Sequence, residues 1–142
     1  MASANFTSLS DKLARGGINF GTDAFKVLLV SSMPNATQLD AWANRSDVTT
    51  EITGTGYTAG GVAITATVGA IDMVNNRAPV TFSNLSPGWS AATLTASAAI
   101  IYKSTGTAST DALVCAVDFG ASVPCVNGTF SVVFTSPIYI GV

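Results

Sequence analysis

From residue 62 onward, apolar and polar positions alternate with a period of two. Val62, Ile64, Ala66 and Val68 interleave with Ala63, Thr65 and Thr67, and Val80 and Phe82 interleave with Thr81 and Ser83. Successive side chains of an extended chain point to opposite faces, so this spacing predicts half-buried strands. Ile71-Asp72-Met73-Val74 predicts another short strand. Trp89 to Lys103 is a long run of Ala, Thr, Ser, Leu and Ile whose small side chains let neighbouring layers approach closely. Leu113, Cys115, Val117 and Phe119 resume the alternation, and Ile138 to Val142 reads as an edge strand. Turns are predicted at Asn75-Asn76-Arg77, at Leu85-Ser86-Pro87-Gly88, in the polar loop Ser104 to Thr110 and near Gly120. Asn127-Gly128, between Val126 and Thr129 to Phe134, is the strongest short-range hairpin signal.

The first sixty residues follow other patterns. Phe6, Leu9 and Leu13 recur at helical spacing over Phe6 to Arg15, with Ser8 and Asp11 placed as a capping box and Gly16-Gly17 as a stop. Ala24 to Val30 is apolar on both faces apart from Lys26, which predicts a strand covered on both sides. Thr37 to Asn44 has room for one or two helical turns with Leu39 and Trp42 on one side. Arg45 to Glu51 concentrates charge and reads as an exposed loop. It leads into Gly54-Thr55-Gly56-Tyr57-Thr58-Ala59-Gly60-Gly61, a hinge whose glycines suit sharp turning and close backbone approach. A phosphate cradle would need a helix and usually a Lys behind it, and a strand pattern follows instead. About seven to nine strands with frequent turns predict an all-β chain, a jelly-roll-like β-sandwich with a short N-terminal helix. One domain over residues 1–142 is expected, with segment 1–17 packing on it or on a partner.

Composition sharpens this reading. The chain is 48% hydrophobic but only 10% charged, well below the roughly 25% of ordinary soluble domains. Its surface must therefore be Ser, Thr and Asn, or be hidden against partners. No apolar run is long enough to span a bilayer, and the N-terminus has no signal-peptide pattern, so no membrane role and retention in the compartment of synthesis are expected. The six Lys and Arg are scattered and the net charge is −2, which argues against direct nucleic-acid binding. Cys115 and Cys125 are expected as thiols, with a disulfide geometrically open.

Candidate chemistry is sparse. The chain has no histidine, which removes Ser-His-Asp and Cys-His arrangements. The eight carboxylates lie mostly at turns and element ends, where capping is their ordinary use, although two across a cleft would suffice for a glycosidase. Asp72 with Asn75 and Asn76 lacks the spacing and the closing Glu of a calcium loop. Trp42, Tyr57, Trp89 and Tyr102 are the aromatics able to stack on a sugar, and core or interface use is the commoner fate of large rings. No catalytic residue, cofactor or metal is expected, and the chain reads as a non-enzyme.

Several segments in order resemble one family. They are Lys12-Leu13-Ala14-Arg15-Gly16-Gly17-Ile18, Phe25 to Val30, the stretch from Glu51 to Gly61, Ala99-Ile100-Ile101-Tyr102-Lys103, and Asp118-Phe119-Gly120. Together they resemble small virion structural proteins of tailed bacteriophages, of the capsid decoration or cement type, and the likeness covers most of the chain. Few charges and two cysteines set this chain apart. The resemblance implies a protein assembled in the host cytoplasm that binds the exterior of the expanded head. There it would bridge major capsid subunits against internal DNA pressure and self-associate as a dimer or trimer. The expected contact residues are Phe6 and Leu9 in the N-terminal segment and Arg45, Asp47, Glu51 and Tyr57 around the charged loop. The alternative is a tail or fibre component that binds a host-surface glycan.

Overall fold

The strand β2 (Phe25–Val30) is the element on which the others are laid, and its burial on both faces follows from its sequence. In the computed structural model, which describes residues 2–141, β2 lies inside a five-stranded antiparallel sheet of order β1-β7-β6-β2-β3. The partners are β1 (Ser3–Asn5), β3 (Val62–Ile64), β6 (Leu85–Lys103) and β7 (Leu113–Val132). A second sheet of order β4-β5-β8 contains β4 (Ala66–Val68), β5 (Arg77–Phe82) and β8 (Ile138–Gly141). The chain is thus mostly β, as its alternation predicts. Met1 and Val142, the ends of the expected domain and the last residue of the expected edge strand, lie outside the described residues.

Alternation along β2 sorts its side chains into two cores. Phe25, Val27 and Leu29 face the three-stranded sheet, where with Ala99 and Ile101 of β6 they form one core with Val80, Phe82 and Ile138. Leu28 and Val30 face the other way with Phe6, Ile100, Tyr102 and Leu113, and this side is closed by Met33, Leu39, Trp42 and Val48. That cover comes from helix α2 (Ala36–Ala41) and the 3-10 turn Arg45–Asp47. Asn35 and Gln38 form a reciprocal capping box that starts α2. Helix α1 (Ser8–Ala14) begins without a side-chain cap. The expected box fails because Asp11 accepts from Arg15 Nε at 2.7 Å instead.

Four expectations are corrected. The run from Val62 to Val68 is two strands: it leaves the first sheet at Thr65, whose N–H donates to Ser83 Oγ at 2.9 Å, and enters the second as β4. Asn127-Gly128 is not a hairpin turn. Ala92 pairs with Gly128 and Leu94 with Cys125, so β7 advances three residues against two on β6. Asn127, at φ 47°, occupies a bulge, which makes the same demand for positive φ as a tight turn. Leu85 to Gly88 opens β6 rather than turning. Ile71-Asp72-Met73-Val74 forms no strand; only the bridge between Asp72 and Arg77 joins it to β5.

The β6–β7 ribbon is the longest feature. Its inner half, from Tyr102 opposite Leu113 to Ala98 opposite Asp118, belongs to the five-stranded core. Ala96 then pairs with Val123, so Phe119 to Ser122 bow out of the ladder. Beyond this excursion the ribbon continues past Trp89 and Phe130 to Leu85 opposite Val132. β1 covers β7 only from Cys115 to Val117. Among the described residues, no strand pairs with the outer edge of β7 after that point.

Candidate functional site

Four of the six contact residues expected from the sequence lie in or beside one internal latch. Arg45 Nε donates to Asp111 Oδ2 at 2.7 Å, and Asp111 is only 1% exposed. The same carboxylate accepts from the Thr105 N–H at 2.6 Å and the Thr105 hydroxyl at 2.9 Å. Burial works to raise the Asp111 carboxyl, but these donors and Arg45 outweigh it and hold the group below the usual carboxylate range. The Arg45 guanidinium also sits 5.4 Å from the Tyr102 ring. Arg45 to Glu51 is therefore a pinned 3-10 turn and connector, not the free loop its charge suggests. A cation with a buried carboxylate to neutralise is drawn inward.

The glycine stretch is held from below. Glu51 Oε1 accepts from the Tyr57 hydroxyl at 2.8 Å and from the Gly60 N–H at 2.6 Å. The Tyr57 oxygen accepts from the Leu29 N–H at 3.1 Å, and the Tyr102 hydroxyl donates to the Gly60 carbonyl. Burial pushes the Tyr102 phenol up to about 12 and lifts the Tyr57 phenol well above its ordinary range. Asp47 Oδ2 accepts from the Ala43 and Asn44 N–H groups, both at 2.9 Å, and Asn44 leads in lowering its carboxyl. These acceptors are occupied by the chain itself. Phe6 and Leu9 are buried in the chain's own cores on either side of β1, so neither presents apolar surface outward.

The aromatic candidates are similarly committed. Trp89 and Tyr102 are buried, Tyr57 packs on Trp89 with ring centroids 5.4 Å apart, and Trp42 lids the second core. Tyr139 is more exposed, and the Arg77 guanidinium lies 3.6 Å from its ring centroid. Among the described residues, no group of three or more His, Cys, Asp or Glu side chains is placed to hold a metal ion, and no helix is long and apolar enough to cross a membrane. Cys115 and Cys125 are free thiols; Cys115 is fully buried, which pushes its pKa up to about 12.

The available surface lies elsewhere. No Asp, Glu, Lys or Arg occurs between Ala78 and Tyr102 or after Asp118. The outer half of the β6–β7 ribbon is built from these two segments and so carries no charge at all. Beside its unpaired edge the excursion at Phe119 folds toward Phe130, ring centroids 6.1 Å apart. This leaves an open groove of about 510 Å³ lined by Phe119, Val123, Cys125, Phe130 and Val133, among others. Val126, 74% exposed, stands near it on the same strand. A second apolar surface is the loop between β4 and β5, where Ile71, Met73 and Val74 are 73%, 83% and 90% exposed.

Residue-by-residue reading of the sequence passes over both surfaces, because apolar residues in strand-like runs look like core. The signal that finds the groove is the distribution of charge, whose absence after Asp118 coincides with a strand too long to be covered by its neighbours; the β4–β5 loop, with Asp72 and Arg77, gives no such signal. No protein-family model, curated protein or solved structure matches the chain.

Proposed function

We propose that this chain is a capsid decoration protein. It binds the exterior of an assembled phage head and bridges major capsid subunits, stabilising the shell against the pressure of packaged DNA. The observation that carries this reading is the charge-free outer ribbon with its unpaired edge, mounted on a latched core. Such a surface can be desolvated without stranding an ion, and an open strand edge accepts an extended segment of a partner by backbone pairing. One contact on the order of 1,000 Å² per copy is modest, and repetition over a shell makes the sum large. The jelly-roll-like description belongs to the same proposal, supported by strands distant in sequence, β2 and β6, lying side by side. Self-association as a dimer or trimer is part of it, and neither nucleic acid nor membrane is a partner.

The test is the stoichiometry of this chain in purified particles by quantitative mass spectrometry, repeated with Val126→Asp. The expected result is a copy number comparable with that of the major capsid protein, and a sharp loss of occupancy in the variant. A handful of copies per particle would instead favour the tail or fibre reading, in which a glycan is the ligand. Absence from particles would overturn the virion assignment.

A further inference from the structure

The geometry points to a contact between copies of this chain in which the β4–β5 loop of one inserts into the β7 groove of the next. The loop is built as a rigid apolar knob. The Asp72 N–H donates to the Arg77 carbonyl at 2.8 Å and the Arg77 N–H to the Asp72 carbonyl at 3.1 Å, closing Met73-Val74-Asn75-Asn76 into a tight tip. Asp72 accepts from the Asn75 side chain at 2.8 Å and pairs with Arg77 Nε at 3.1 Å. Arg77 in turn lies over the Tyr139 ring. Turn tips normally carry polar residues, and this one presents exposed apolar side chains from a hydrogen-bonded backbone. A tip whose backbone is already ordered loses little backbone freedom on binding.

The groove is the complementary part. It is apolar, open along one side and, among the described residues, uncovered; its volume of about 510 Å³ has room for the Met73 and Val74 side chains together. Neither part needs an ion to be stripped of water: the groove has no charged residue, and the two charges of the loop, Asp72 and Arg77, neutralise each other. The flexible thioether of Met73 suits an irregular apolar recess.

One chain cannot satisfy itself. β5 separates the two parts, since the loop springs from Arg77 at one end while Phe82 at the other packs toward Phe134, ring centroids 6.1 Å apart, beside the groove. Five strand steps place these ends about 17 Å apart. Every copy therefore offers one knob and one groove on separated patches, and a second copy is the occupant that matches both. Two different patches in contact generate a reciprocal pair, a closed ring or an open filament, according to the rotation between copies. This contact rests on the dimer-or-trimer part of the reading above; it fills the groove and leaves the unpaired edge of β7 to the capsid, and because it is read on the isolated chain its failure is distinguishable from a failure of capsid binding.

The experiment is sedimentation velocity on the purified chain, wild type and two variants at exposed sites. Met73→Asp spoils the knob and Val133→Asp spoils the groove; thermal melts confirm that both remain folded. Wild type is expected to associate reversibly with concentration, and each variant alone to associate about tenfold more weakly or less. An equimolar mixture of the two variants retains one intact knob and one intact groove, and is expected to regain a discrete two-chain species. A covalent check uses Met73→Cys, which should cross-link to Cys125 of another copy under mild oxidation and fail to do so when Cys125→Ser is added. A monomeric wild type, an oligomer that survives either Asp variant, or a mixture that forms no pair would each overturn the contact.

Discussion

Replacing Gly61 by Ala tests whether the glycine stretch is a close backbone contact or only a turn. Gly61 has φ 73°, and a Cβ there would lie 1.8 Å from the Val27 carbonyl oxygen and 2.8 Å from the Leu28 Cα. Neither side can retreat: Val27 and Leu28 are fully buried in the central strand, and Gly60 is held by Glu51 and Tyr102. The left-handed backbone costs an Ala roughly 1–2 kcal/mol, and forcing a methyl into a packed core adds roughly 1–3 kcal/mol. The sum, about 2–5 kcal/mol, is a large share of the roughly 5–15 kcal/mol that holds an ordinary domain folded. In a chain of this size it corresponds to a fall in Tm of about 10 °C. Gly106 supplies the control, with φ 90° and no atom within 4 Å of its added Cβ. Gly106→Ala should lose only the backbone component, about 1 kcal/mol, partly offset by a less flexible unfolded chain. Urea unfolding followed by circular dichroism measures both, with an unchanged m-value showing that the denatured state is the same. Equal losses for the two variants would refute the close approach at Gly61.

Two further outcomes follow from the buried groups. Because the Asp111 carboxyl is lowered in the fold, its contribution to stability is present above the unfolded value of about 3.9 and disappears as pH falls through the folded one. Asp111→Asn should thus cost about 2–3 kcal/mol at pH 7, with Arg45 24% exposed at the pair. Its stability should fall less steeply than wild type below pH 4, and identical acid limbs in the two unfolding profiles would contradict the latch. Cys125 should react quickly with a thiol reagent in the native protein, whereas Cys115, buried and raised to about 12, should react only on unfolding. Native labelling of Cys115 would show that the sheet opens there.

What the sequence reveals depends on how local the cause is. The strand Phe25 to Val30 is legible because two-sided burial requires apolar residues at every position but one. The capping box at Asn35 and Gln38 is equally local, yet the spacing of Ser8 and Asp11 misleads because Arg15, one turn on, offers Asp11 a charged partner. Asn127-Gly128 signals a positive φ without saying whether a turn or a bulge uses it. Arg45 and Asp111 are 66 positions apart, and no periodicity links them, so a charged connector looks exposed when it is latched. Phe6 and Leu9 mark an apolar helical face, but the pattern cannot say whose core that face enters. The exposed groove escapes for the opposite reason: Val123, Val132 and Val133 belong to apolar strand-like segments that read as core, and only the reach of β7 beyond β1 leaves the groove uncovered.

The order of the five-stranded sheet also governs when the protein can fold as it is made. β1 pairs with Cys115 to Val117, β2 with Ala98 to Lys103, and β3 only with β2. Of the strands synthesised first, β1 has no partner until β7 exists, and β2 has only the short β3 and the bridge at Glu51 until β6 exists. Phe25 to Val30 leaves the ribosome about seventy residues ahead of β6, the strand that pairs along its whole length. At roughly 5–20 residues per second, that is a wait of roughly 4–14 s with one edge of a largely apolar segment uncovered. Folding of the sheet is consequently a late event in synthesis, in which the C-terminal hairpin recruits strands already waiting, and truncation within β7 forfeits the N-terminal half along with the part removed.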